Sequence, residues 1–262
     1  MTNTIAIEVR DLVSHYGPRQ ILNHVNMTVY DNEIMVVMGG SGSGKSTLLR
    51  HLLGLEQATS GSIRLLGSDI TALSEKEMYE LRKEMGVSFQ GGALFGSLTV
   101  GENVQLPLKE HTRLDSKTMQ IISRMKLEVV NLSGFENLMP SELSGGMIKR
   151  VALARAIVMD PKLLFFDEPS AGLDPVTSAE LDELIIKLRD VMKMTMVVVT
   201  HELDSAFKIA DRITVLDQGN VLICGTVDEV KNCKIERVQA LLSRQIRDDT
   251  VDAEAYLNRL TL

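Results

Sequence analysis

The apolar residues of this chain cluster in short runs separated by stretches of helical period. The runs at 34–38, 163–166 and 196–199 contain no polar position, as expected of strands buried on both faces of a sheet. Residues 5–9, 25–29, 62–66, 86–89 and 213–216 read as further strands. Helix starts are marked by reciprocal caps, in which a Ser or Thr and a Glu three residues on satisfy each other's exposed N–H groups. Ser74 with Glu77, Thr99 with Glu102 and Thr226 with Glu229 have this form, and Asp174-Pro175 is a side-chain cap followed by proline at the first helical position. Strands alternating with helices predict an α/β fold on a mixed sheet. Residues 91–160 break the alternation with a nearly all-helical pattern, which predicts a helical subdomain inserted into a core made of 1–90 and 161–232. A C-terminal helix and tail are expected over 233–262, with an amphipathic stretch at 235–246.

Composition narrows this picture only slightly. A chain of 262 residues with 44% hydrophobic and 24% charged residues suits one sizeable core. The net charge of -7 argues against nucleic acid as a partner, since neutralising phosphates needs basic surface. Cys224 and Cys233 form neither a metal-ligand spacing nor a disulfide framework, which fits a reducing compartment. No apolar run approaches the ~18 residues needed to span a bilayer, and residues 1–10 do not read as a signal peptide.

The chemistry begins after the run at 34–38. Gly39-Gly40-Ser41-Gly42-Ser43-Gly44-Lys45-Ser46 matches the phosphate-binding pattern G-x-x-x-x-G-K-[ST], with Thr47 opening the helix beyond it. The glycines let backbone N–H groups turn towards phosphates, and the helix N-terminus adds partial positive charge. Lys45 supplies a mobile cation for the β- and γ-phosphates, and Ser46 a hydroxyl for Mg2+. The second acidic motif is the run 163–166 ending in Asp167-Glu168. In a phosphate-loop enzyme the first carboxylate holds Mg2+ and the second activates the attacking water, so Asp167 is the candidate metal residue and Glu168 the candidate base.

Leu143-Ser144-Gly145-Gly146-Met147 resembles the signature of ABC ATPases, and other motifs of that family follow in order. Tyr16 resembles the aromatic that stacks on adenine. Gln90 resembles the glutamine that touches Mg2+ and senses the membrane partner. The segment from Ser170 to Asp174 resembles the loop that crosses between two copies, and His201 the histidine that contacts the γ-phosphate. The resemblance implies that ATP and Mg2+ are bound by two chains arranged head to tail. Each signature then closes on the nucleotide held by the other copy's phosphate loop. Position 147 is Met where most members of the family carry Gln.

Within the family, four segments resemble the Mla-type lipid-transport ATPases: Phe89 to Phe95, 106–112, 139–156 with its Met-bearing signature, and 237–242. That likeness implies an MlaE-like permease and an MCE-domain protein in the same complex. It also implies a STAS-domain subunit, as in some relatives, and a place on the cytoplasmic face of the inner membrane held through the permease. The expected function is ATP hydrolysis driving phospholipid transport between inner and outer membranes. Beyond Leu242 the chain lacks the Gly/Pro-containing segment with which Mla-type ATPases continue. Two other readings stay open on sequence grounds, an iron–sulfur assembly ATPase and the ATPase of a small-solute importer.

Overall fold

A computed structural model describes residues 4–243. The doubly apolar runs become β3 (Ile34–Met38), β7 (Leu163–Asp167) and β8 (Thr195–Val199). With β6 (Met85–Ser88), β9 (Arg212–Asp217) and β10 (Asn220–Thr226) they form a six-stranded sheet of order β10-β9-β3-β8-β7-β6. Every neighbouring pair is parallel except β9 with β10, so the sheet is mixed, as expected. In β3, Ile34, Val36 and Met38 enter one apolar cluster while Met35 and Val37 enter another. Strands β7 and β8 divide the same way, Phe166 and Val198 to one side, Phe165 and Val197 to the other. Side chains that alternate across a sheet covered on both faces give unbroken apolar runs for this reason.

One face is covered by a second sheet. β1 (Ile5–Tyr16) and β2 (Arg19–Tyr30) form an antiparallel hairpin, with β4 (Ser60–Leu65) and β5 (Ser68–Asp69) completing the order β2-β1-β4-β5. The first two strands are much longer than the 5–9 and 25–29 runs, because pairing in the hairpin continues past the apolar stretches through exposed positions to the turn at Gly17. Helix α1 (Lys45–Leu52) shares this cluster, while α2 (Glu75–Arg82) packs beside β6.

The other face carries helices. Between β6 and β7 the described residues form α3 (Val100–His111), α4 (Ser116–Val129), a 3-10 turn at Pro140–Glu142 and α5 (Gly145–Ala156), with no strand. α6 (Pro175–Met192), α7 (Leu203–Ile209), α8 (Val227–Lys231) and α9 (Glu236–Leu242) follow. All three reciprocal caps form, and the Asp174 carboxylate caps α6 by accepting from Val176 and Thr177 N–H at 3.0 and 3.1 Å. Strand β10 had no sequence signal because most of its residues are half-buried without alternation. It arises from a tight turn in which Gln218 and Gly219 both take positive φ, the geometry a two-residue hairpin requires. Of the expected stretch 235–246, the structure forms α9 to Leu242, capped by Ser243; residues 244–262 lie outside the described residues. α9 is fixed by two Arg237–Asp217 hydrogen bonds of 2.7 and 3.2 Å, and Leu241 lies beside Gly40.

β6 meets α5 so closely that a Cβ on Gly86 would lie 2.2 Å from the Ala156 carbonyl oxygen. Gly86→Ala is therefore expected to destabilise the chain by about 1–3 kcal/mol. Thermal denaturation should show a melting temperature several degrees lower; an unchanged value would mean that β6 and α5 separate without penalty.

Candidate nucleotide site

Three segments leave the same edge of the central sheet. Parallel pairing sets Val37 opposite Val199 and Val199 opposite Asp167, so the loops after β3, β8 and β7 emerge side by side. Ligands in such sheets bind in the crevice at the carboxyl ends of the strands.

The loop after β3 turns through Gly42 (φ 74°) and Gly44 (φ 104°), the latter being the N-cap of α1. Gly39 passes under β9, where a Cβ would lie only 2.1 Å from the Leu216 carbonyl oxygen. Lys45 Nζ lies back along the loop and donates to the carbonyls of Gly39 and Gly40 at 2.9 and 3.0 Å. Burial pushes its pKa below the usual lysine range, opposed by the charges of Glu168 and Asp167. Ser43 is 1% exposed, and its hydroxyl finds no partner among the protein atoms. Ser46 is exposed, and Thr47 is buried in the first turn of α1. The loop thus has an orphaned hydroxyl and a folded-back cation, which fits a phosphate chain.

At the end of β7, Asp167 is half-buried, and its pKa is raised by burial and then by repulsion from Glu168, against the attraction of Arg50, Lys45 and Lys149. Glu168 takes φ 49°, a left-handed conformation unusual for a non-glycine residue. Its N–H donates to Val199 O at 2.8 Å, and its carbonyl accepts from Ala171 N at 3.2 Å. The carboxylate points at the loop after β8, where His201 Nδ1 lies 2.8 Å and His201 N 3.3 Å from Oε2. The structure therefore brings Lys45, Asp167, Glu168 and His201 into one charged cluster.

The other predicted residues lie outside this cluster. Tyr16, 45% exposed at the end of β1, donates to Glu56 at 2.7 Å and accepts from Arg50 of α1 at 3.1 Å, which ties the aromatic to the helix that begins at Lys45. Gln90 is exposed just beyond β6. Ser144 is the N-cap of α5, its Oγ accepting from Met147 N–H at 3.3 Å, and Ser144 and Gly145 are open to solvent. Gly146 abuts Thr177 of α6. Among the described residues no hydrogen bond joins 144–147 to 39–47 of the same chain. Asp174 and the signature lie next to each other, since Gly145 faces Leu173.

Three polar residues with no assigned role turn out to organise the site. Lys149, only 7% exposed, donates from α5 to the carbonyl oxygens of Gln90 and Glu168. Arg155 donates to the carbonyls of Gly92 and Ala93, both at 2.7 Å. Asn103, fully buried, donates to Phe95, Leu98 and Thr99 carbonyls and accepts from Phe95 N–H at 2.8 Å. Their only sequence signal is polarity at positions where the helical period calls for an inward face.

The family profile described as ABC transporter matches residues 22–171. The chain belongs to the ABC transporter family. It is 41% identical over 240 residues to the Haemophilus influenzae intermembrane phospholipid transport system ATP-binding protein MlaF, covering 92% of this chain and 91% of that one. The probable ribonucleotide transport ATP-binding protein mkl of Mycobacterium leprae is also 41% identical, over 84% of this chain but 64% of its own length. A dimeric ATP-binding cassette in a post-hydrolysis state, with ADP and phosphate bound, superimposes with a TM-score of 0.76 at 30% identity, covering 84% of this chain and 98% of that one.

Because Leu216 O leaves no space beside Gly39, Gly39→Ala must displace the loop. It is expected to weaken ATP binding about tenfold or more, since misplacement by about 1 Å is that costly in a preorganised site. Calorimetric titration would measure this; unchanged affinity would show that the loop accommodates the methyl group.

Proposed function

We propose that the chain is the ATP-hydrolysing subunit of an ABC transporter that moves phospholipid between the inner and outer membranes. The reading is carried by the convergence of Lys45, Asp167, Glu168 and His201 at one sheet edge. The similarity to MlaF along nearly the whole of both chains supports the cargo. The mkl-type relative is the weaker guide, because this chain spans less than two thirds of it.

In this reading the loop from Gly39 to Thr47 holds the phosphates of ATP, and Lys45 moves its ammonium from the Gly39 and Gly40 carbonyls to the phosphate oxygens. Tyr16 packs on the adenine. Ser46, Gln90 and Asp167 offer hydroxyl, amide and carboxylate oxygens, a donor set suited to Mg2+, which keeps several waters and takes only one or two carboxylates. When bound, Mg2+ neutralises charge on the phosphates. Glu168 accepts a proton from the attacking water, and His201, already on its carboxylate, orients it and faces the phosphate end. Ser144, Gly145, Gly146 and Met147 act on the nucleotide of a second copy, with Ser144 and Gly145 exposed to it, and Asp174 lies at the same junction. A head-to-tail dimer therefore holds two nucleotides.

The permease side is the loop from Gly91 to Phe95 and the end of α3. Leu94 packs partly into the core, whereas Phe95 is 52% exposed. Nearby, a groove of about 190 Å3 is lined by Arg82, Met85, Pro107, His111, Arg155 and Met159, a setting for an MlaE-like permease. An MCE-domain protein in the same complex and a STAS-domain subunit complete the proposed assembly at the cytoplasmic face of the inner membrane.

Glu168→Gln is expected to keep ATP affinity while lowering turnover about 10²–10⁴-fold, the usual contribution of a positioned base. Steady-state hydrolysis measured beside nucleotide binding decides it, and near-normal turnover would remove Glu168 from that role. Phe95→Asp should fold and bind ATP but no longer co-purify with the permease from detergent-solubilised membranes, with loss of outer-membrane lipid asymmetry in cells. Normal assembly of the variant would place the docking surface elsewhere.

A further inference from the structure

The helix that begins at the signature carries two cations whose partners are carbonyl oxygens rather than carboxylates. Lys149 reaches the carbonyls of Gln90 and Glu168, the latter at 3.2 Å. Arg155, further along α5, holds Gly92 and Ala93. Both helix residues thereby grip a left-handed non-glycine residue, since Ala93 (φ 47°) and Glu168 (φ 49°) share that conformation. Such residues persist only where their surroundings over-determine them. Gly92 is pinned from a third direction, because a Cβ there would meet the Ile148 side chain at 2.7 Å. Among the described residues Arg155 hydrogen-bonds to the loop after β6 alone. Lys149 touches that loop and the one after β7, and among the described residues no other side chain hydrogen-bonds to both. An ammonium has three donors and no acceptor, so a buried one must find acceptors. Here it finds the backbone of the two segments that carry the candidate magnesium-side glutamine and the candidate base.

We propose that Lys149 is a positioning residue for hydrolysis: its ammonium fixes the Gln90 segment relative to Glu168, so that displacement of the first loop is passed to the second. The inference rests on the ATPase reading above. It gives α5 two tasks on two nucleotides, its N-cap facing a second copy and its fifth residue, Lys149, setting geometry in its own.

Lys149→Met keeps the length of the side chain and removes its donors. In the full-length chain within its membrane complex, this variant should lower kcat about tenfold or more, with KM for ATP within about twofold of wild type. Lys149→Arg, which keeps a cation and several donors, should restore kcat to within about threefold. Independently of turnover, amide hydrogen exchange in the nucleotide-free chain should quicken about tenfold over 90–93 in Lys149→Met and return towards wild type in Lys149→Arg. A kcat within twofold of wild type in Lys149→Met would overturn the proposal, as would equal losses of turnover and ATP affinity or a Lys149→Arg variant as slow as Lys149→Met. Should Lys149→Met not fold, Lys149→Leu, which also lacks donors, takes its place with the same expected split, and absence of the split overturns it. A wild-type complex that hydrolyses no ATP would instead remove the functional reading, and this inference with it.

Discussion

Parallel pairing among β3, β8 and β7 is the constraint on which the site depends. Val37, Val199 and Asp167 lie level across the three strands, so three loops that are far apart in sequence start from one line. Register is enforced from both faces. A one-residue slip of β3 would exchange Ile34, Val36 and Met38 with Met35 and Val37 between two differently shaped clusters. The Gly39 loop would then leave the sheet out of step with Glu168 and His201. Apolar packing, which does no chemistry, thus sets the separations on which the polar groups rely.

Above that edge, precision comes from side chains that donate to backbone. Asn103 gathers the carbonyls of 95–99, Arg155 those of Gly92 and Ala93, and Lys149 the two loops together. Left-handed conformations such as those of Ala93 and Glu168 cost about 1–3 kcal/mol each. A side chain that holds the carbonyl in place offsets part of that strain, so these polar contacts and the irregular backbone belong to one design. The Asp174 carboxylate does the converse, accepting from the first N–H groups of α6 and so fixing the start of that helix.

Much of this was legible in the sequence because the informative residues are close together. The phosphate loop, the Asp167-Glu168 pair, the signature and the four helix starts are each local patterns with local causes. The eight expected strands all form, with differences in length. Lys149, Arg155 and Asn103 had no role assigned, since their partners are carbonyls and every residue has one. Lys149 finds Gln90 and Glu168 only once β6, β7 and α5 have packed. Strand β10 was absent from the expectation because Gln218-Gly219 is a weaker turn signal than Asn-Gly and the strand is half-buried throughout. Phe95 and Leu94, adjacent and equally apolar, could not be told apart before the fold showed one exposed and the other packed.

The central position of β3 bears on how the protein is made. Its neighbours in the sheet are β8 and β9, which are translated long after it. The Gly39 loop also rests against Leu216, and Gly40 beside Leu241, almost at the end of the described chain. During synthesis the phosphate loop emerges early, yet the walls that shape it arrive last. Contacts of such long sequence separation form late and slowly. A nascent chain therefore carries the complete phosphate-loop motif for most of its translation without having a nucleotide pocket, and cannot consume ATP before its C-terminal strands have closed around it.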